Sequence, residues 1–274
     1  MNISANSLFH FTNKFEHLQN VVSSGFKFRP CEEELPLSGY ENCPFDQLGI
    51  IEHFQHVPVV CFCDLPLGQS SEHREQYGQY AIALSKEWGI RSKITPIRYV
   101  HSNSPDFASV TSSKILDLPV DLGAHGNNVF QFFSRILRDN KSYLAPTNED
   151  LANLPIPMQN LMSIVSVEFL SLLQHCRDLM PLVRIYEGEW TDRVTNQTAH
   201  RVFYDEREWR AVSWDSQAVL QFKFADIRHI IVQTEDERTA IANQMISQAE
   251  QLGISMPHLA WTKVRIAEEL FGDA

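Results

Sequence analysis

An α+β fold follows from three features of this chain. Strand-like runs gather toward both ends, a helical stretch separates them, and no internal repeat is visible. Taking the elements in order, Leu8 to Phe11 reads as a strand. Asn13 and Glu16 then have capping-box spacing, Phe15, Leu18 and Val22 fall on one helix face, and Gly25 is placed to stop that helix. Residues 31–56 are acidic and aperiodic and read as a long loop or lid. Val57 to Cys63 reads as a buried strand stopped by Asp64-Leu65-Pro66-Leu67, Ser70 to Tyr77 as a short polar helix, and Tyr80 to Ser85 as an inner strand. Ile97 to Val100 is a further strand.

Ser102 to Ser113 is rich in Ser, Asn and Pro and reads as a surface connection. Asn128 to Arg138 and Pro157 to Leu179 read as helices; in the second, Met162, Val165, Phe169, Leu172, Leu173 and Cys176 keep helical spacing. Strands return at Leu182 to Tyr186, Val202 to Tyr204, Trp209 to Ser213, Leu220 to Phe224 and His229 to Gln233. Thr234 and Glu237 form a second capping box, opening a helix that carries Ile241, Met245, Ile246, Ala249 and Leu252 and stops at Gly253. Leu259 to Leu270 reads as a last helix. The expected organisation is a single domain, 1–274, with a mainly helical insertion at about 102–183.

Composition narrows the class. At 274 residues, 43% hydrophobic and 21% charged, the chain has the profile of a soluble globular protein with a sizeable core. A net charge of −11 disfavours nonspecific coating of nucleic acid, which wants a basic face, yet leaves room for a local basic patch. Met1 to Ser4 lack a basic n-region, so no secretory signal is expected. The apolar run from Asn160 to Leu173 is broken by serines and Glu168, too short and polar to span a bilayer. Five cysteines, an odd count without a secretory signal, read as reduced thiols in a cytoplasmic protein.

The motif survey excludes several enzyme classes. No P-loop, GxGxxG, HExxH, GxSxG or CxxC pair is present. The densest chemistry lies in Phe203-Tyr204-Asp205-Glu206-Arg207-Glu208-Trp209-Arg210. On a strand, Glu206 and Glu208 point to one face. Two such carboxylates can hold a ribose and stabilise the positive charge that glycosidic cleavage develops. The alternative is a pair of solvated strand carboxylates matched to Arg207 and Arg210. His10, between Phe9 and Phe11, is open to two readings, a ribose contact or a satisfied core histidine. His53, His56, Cys61 and Cys63 lie within eleven positions but not at zinc spacing, so no metal is expected. Lys86, Arg91, Lys93 and Arg98 around Trp88 form a basic, aromatic segment able to meet nucleic acid, or else a solvated face.

Leu8-Phe9-His10-Phe11-Thr12, the helix from Leu18 to Gly25-Phe26, Val60-Cys61-Phe62-Cys63-Asp64-Leu65-Pro66-Leu67, Tyr77 to Gly89 and Glu206 to Arg210 together resemble the AbiGi family of bacterial abortive-infection proteins, a family labelled as antitoxins. The same order of motifs resembles, more loosely, the DarT-like and mono-ADP-ribosyltransferase group. That second resemblance implies an ADP-ribosyltransferase-like split sheet and an NAD-dependent toxic effector of phage defence, with NAD as substrate and no metal. It implies Glu208 as the catalytic carboxylate and Glu206 as the group orienting the acceptor or acting as its base. His10, Phe11 and Thr12 on the first strand, Arg29 toward the pyrophosphate and Tyr80 against nicotinamide are the implied NAD contacts. Nucleic acid, RNA or DNA, is the expected acceptor, and a cognate antitoxin the expected partner. The alternatives are a catalytically silent antitoxin or regulator and an NAD glycohydrolase. Asp64 and Lys86 belong to the resembling segments without an assigned role.

Overall fold

The computed structural model describes residues 6–32, 56–101, 180–191, 196–215, 217–251, 253 and 257–271. The loop expected at 31–56 and the helices expected at 128–138 and 157–179 fall almost wholly outside them. The chain divides into two compact units, one of Met1–Cys31, Pro58–Ile97 and Glu187–Ala274, the other of Glu32–Val57 and Arg98–Tyr186.

The first unit is built on a mixed sheet. Its strands, in spatial order, are β14 (Val264–Ile266), β13 (Ile227–Val232), β5 (Tyr80–Ser85), β1 (Ser7–Thr12), β4 (His56–Cys63), β11 (Glu208–Val212) and β6 (Thr95–Pro96). β3 (Arg29–Glu32) also pairs with β4. β1 runs antiparallel to both β4 and β5, and β11 antiparallel to β4. Two short pairs accompany the sheet: β2 (Phe26–Lys27) with β12 (Val219–Leu220), and β9 (Glu187–Thr191) with β10 (Thr198–Val202). Of the second unit, β7 (Arg98–Val100) and β8 (Val183–Ile185) pair in parallel.

The two faces of the sheet carry different cores. Leu8, Phe62, Ile82, Leu84, Ile230 and Val232 point into the larger one, with helices α1 (Phe15–Ser24) and α4 (Glu235–Gln251) contributing Leu18, Val22, Ile241 and Met245. Phe9, Cys63, Ala81, Ala83 and Ile231 form the smaller one with Leu65 and Ala267. The alternation is the pleat itself: neighbours along a strand face opposite ways.

Helix ends decide several boundaries. α1 opens at Phe15 with Lys14 as its N-cap and no side-chain cap bond, so the box expected from Asn13 and Glu16 does not form. The box at Thr234 does form: Glu237 N–H donates to Thr234 Oγ1 at 3.3 Å, and Thr234 N–H donates back to Glu237 Oε2 at 3.1 Å. Gly25 stops α1 with φ +83°, and a Cβ there would lie 2.8 Å from the Leu220 carbonyl oxygen. Position and conformation both call for glycine. The last apolar stretch is not one helix. α5 (Pro257–Lys263) and α6 (Ala267–Phe271) flank β14, whose Val264, Arg265 and Ile266 pair in parallel with β13. Burial of Val264 beside Ile230 outweighs helical continuity at this point.

Candidate functional site

Because β4 and β5 both run antiparallel to β1, both end at the same sheet edge, where β11 begins. The first residues past them, Asp64 and Lys86, meet there: Lys86 Nζ lies 2.6 Å from Asp64 Oδ2 and 5.6 Å from the centre of the Trp209 ring. Asp64 N–H also donates to the Arg207 carbonyl at 3.1 Å. At the start of β11, Glu208 is chelated by Arg210: Arg210 Nε donates to Glu208 Oε1 at 2.6 Å and Nη2 to Oε2 at 3.0 Å. Arg210 is 1% exposed and Glu208 6%, so this pair is buried, unlike the solvated pairing weighed from the sequence.

Glu206 is not on the strand. Residues Phe203–Glu206 form a 3-10 turn, and Arg207 follows in the left-handed region at φ 44°. That conformation breaks the extended path on which the same-face argument for Glu206 and Glu208 relied. Glu206 is nonetheless buried nearby, with Arg201 Nη2 at 3.4 Å from its Oε1. Three carboxylates and three cations therefore gather at this end of the sheet. Cys63, in register with Glu208, feels them: burial first, then the charges of Asp64, Glu206 and Glu208, push its thiol up to about 12. It is a packing residue, not a nucleophile.

The register separates the expected contacts. Phe9, Cys63 and Glu208 lie opposite one another across β1, β4 and β11 and share a face. His10, one residue on, points to the other face, against Phe26 at 5.0 Å and Phe62 at 5.8 Å between ring centres. His10 and Glu208 thus do not line one cleft. Phe11 is on the Glu208 side, near His73 at 6.1 Å; Thr12 is with His10, its Oγ1 3.4 Å from His17 Nδ1. Arg29 is exposed on β3. Cys61 and Cys63 belong to no metal-binding group among the described residues.

His10 Nδ1 lies 2.9 Å from the Cys61 carbonyl and donates to it. Burial holds this imidazole below its ordinary range, partly opposed by that bond. The unfolded chain takes up a proton near pH 6.5 that the folded one refuses, so stability falls as pH drops below about 6.5. His10→Gln, which keeps a donor for Cys61 without titrating, is expected to move the acid-unfolding midpoint to lower pH in circular dichroism.

A family described as "Putative abortive phage resistance protein AbiGi, antitoxin" matches residues 46–221. The chain belongs to the AbiGi family. The abortive phage resistance protein AbiGi of Lactococcus lactis subsp. cremoris is 46% identical over 54 residues, 18% of this chain and 22% of that protein. No solved structure matches. The AbiGi span takes in Asp64, Lys86, Arg201, Glu206, Glu208 and Arg210, the whole ion-pair group. It leaves out β1, with His10, Phe11 and Thr12.

Two further expectations are relocated within the AbiGi span. Tyr80 does not present a free aromatic wall: its ring lies 5.9 Å from Phe15, and its hydroxyl donates to Glu237 Oε1 at 2.8 Å. Burial and this carboxylate push the phenol up to about 12. Tyr80→Phe is expected to cost about 1 kcal/mol in thermal unfolding; a pure cofactor wall would cost nothing. The basic segment is not a stacking platform either. Trp88 is 2% exposed, its Nε1 donating to the Gln221 carbonyl at 3.0 Å, while Lys86 serves Asp64 and Arg91 lies 2.7 Å from Asp226. Packing between helix α3 (Lys86–Arg91) and the sheet takes the aromatic away from solvent.

Arg201 and Arg210 are the site residues that the sequence undervalued. Arg210 was legible only as one of two possible counterions, and no sequence signal links Arg201 to Glu206. Among the described residues no helix is long and apolar enough to cross a membrane.

Proposed function

We propose that this AbiGi-family chain is the antitoxin-side regulator of an abortive-infection system, a cytoplasmic phage-defence protein that works by binding a toxin and not by turning over a nucleotide. The observation that carries this reading is the Glu208–Arg210 chelate. Both oxygens of the expected catalytic carboxylate are engaged by a buried guanidinium on the same strand, which is how a scaffold uses such a pair. The family description favours the same side. On this reading the expected partner is reversed: the chain is the antitoxin, and its partner the toxin.

The test replaces both members of the pair, Glu208→Leu with Arg210→Met. This removes the carboxylate without stranding a charge. Host survival on co-expression with an abortive-infection toxin that wild type neutralises is then counted. The regulator reading expects protection equal to wild type. Lost protection in a folded double variant, together with NAD turnover by wild type, would overturn it.

A second reading is favoured by one observation, the gathering of three carboxylates and three cations at one end of a sheet, an arrangement common at functional sites. Under it the chain has the ADP-ribosyltransferase-like architecture and Glu208 stabilises the ribosyl cation of NAD. ADP-ribose then passes to nucleic acid, or to water in the glycohydrolase form. Label from NAD would appear in an RNA, DNA or protein pool, or as free ADP-ribose, with wild type and not with the folded double variant Glu208→Leu with Arg210→Met.

A further inference from the structure

Three cations and a histidine lie where β13, β14 and the end of α5 come together. Parallel pairing sets Arg265 beside Ile231, and antiparallel pairing sets His229 opposite Ala83. His229 and Ile231 are two apart, so His229 and Arg265 share a face of the sheet. A register shift between Ile227 and His229 leaves Arg228 outside the ladder and exposed. Lys263 donates to the Ile227 carbonyl and lies 5.0 Å over the Phe224 ring.

Little negative charge answers this group. Asp226 is occupied by Arg91 at 2.7 Å and by the Lys223 N–H at 2.8 Å. Glu87 stands 3.7 Å from Arg228, with both side chains largely exposed. Arg265, half-buried, joins no ion pair among the described residues. His229 Nδ1 is buried and meets no hydrogen-bond partner among them. So local an excess of positive charge carries mutual repulsion unless something offsets it. The mutual repulsion registers on two groups. Burial, then Arg265, Lys263 and Arg228, hold the His229 imidazole below its ordinary range; burial, then Arg228, lower Lys263, which Asp226 partly offsets.

We propose that this corner binds a phosphate monoester, with Arg228, Lys263 and Arg265 supplying the charge and His229 donating its Nδ1 hydrogen. A terminal phosphate brings nearly two negative charges and three acceptor oxygens, a better match to three cations and a ring N–H than a single carboxylate. The residues lie outside the span 46–221, so the site is a property of this chain beyond the family match and independent of the antitoxin reading.

The test follows the His229 ring by NMR while inorganic phosphate, then a 5′-mononucleotide, is added at constant ionic strength against chloride. Saturable shifts are expected, together with a rise in the His229 pKa as the bound anion offsets the neighbouring cations. Arg265→Gln is expected to weaken binding about tenfold. Arg228→Gln, on an exposed side chain whose loss leaves folding intact, moves affinity in the same direction. Lys27→Gln, on an exposed position of β2, leaves it unchanged. No saturable shift, equal binding by Arg265→Gln, or tighter binding of a single-stranded oligonucleotide lacking terminal phosphate would each overturn the proposal.

Discussion

Arg210→Ala is expected to destabilise the protein by about 3–5 kcal/mol, the loss typical of stranding one partner of a buried ion pair. The guanidinium is 1% exposed and makes two hydrogen bonds to Glu208, so its removal leaves a carboxylate in a site with little access to water. Glu208→Ala is expected to cost a similar amount for the mirror reason. The double replacement Glu208→Leu with Arg210→Met is expected to lie within about 1 kcal/mol of wild type, because it removes both charges and keeps the volume. Urea unfolding of the four proteins compares these losses directly. A single variant losing less than about 1 kcal/mol would make the pair an ordinary surface bridge and undo the argument for a locked carboxylate.

That comparison also governs how functional mutants are read. On the sequence alone, Glu208 looks like a cleft carboxylate whose removal leaves the fold intact. In the structure, Glu208→Ala removes a folding element, so lost activity in that variant carries no information about chemistry. Only the charge-free double variant separates the two.

Legibility varied with the range of the interaction. β1, β4 and β5 were readable because their apolar runs are bounded by strong local stops, such as Asp64-Leu65-Pro66 and Gly78. α4 was readable because Thr234 and Glu237 close their box within four residues. Asn13 and Glu16 have the same spacing but do not cap, since the helix starts at Phe15 and uses Lys14 instead. Spacing proposes a cap; the local backbone path decides it. β14 was missed because three residues pairing in parallel with β13 carry no periodicity of their own.

The site was legible as residues and not as an assembly. Glu206, Glu208, Asp64 and Lys86 were all singled out, and all four lie at one sheet end. What joins them is strand order: β4 and β5 ending together, β11 starting there, a fact no local pattern encodes. The same order places His10 on the face away from Glu208, one residue out of step with Phe9. The turn at Glu206 hinges on Arg207 adopting φ 44°, which an arginine rarely does and a sequence rule therefore does not expect.

Trp88→Ala is expected to cost about 3–5 kcal/mol, the range for deleting a large buried aromatic. Trp88 packs against Phe62 at 5.6 Å, Phe26 at 6.2 Å and Phe222 at 6.4 Å, and its indole N–H holds the Gln221 carbonyl. Removing it opens a cavity among three rings and orphans an acceptor. Trp88→Phe is expected to cost less, because most of the volume stays and only the N–H bond and part of the packing go. The contrast decides what the Lys86–Arg91 segment is. A tryptophan serving to stack on bases would tolerate alanine in thermal unfolding and lose oligonucleotide binding. One serving the core would unfold early and leave any nucleic-acid binding of the surviving folded fraction unchanged. The second outcome is expected, since Ser85 caps the helix through the Trp88 N–H at 3.2 Å and so aims the indole inward from the first turn.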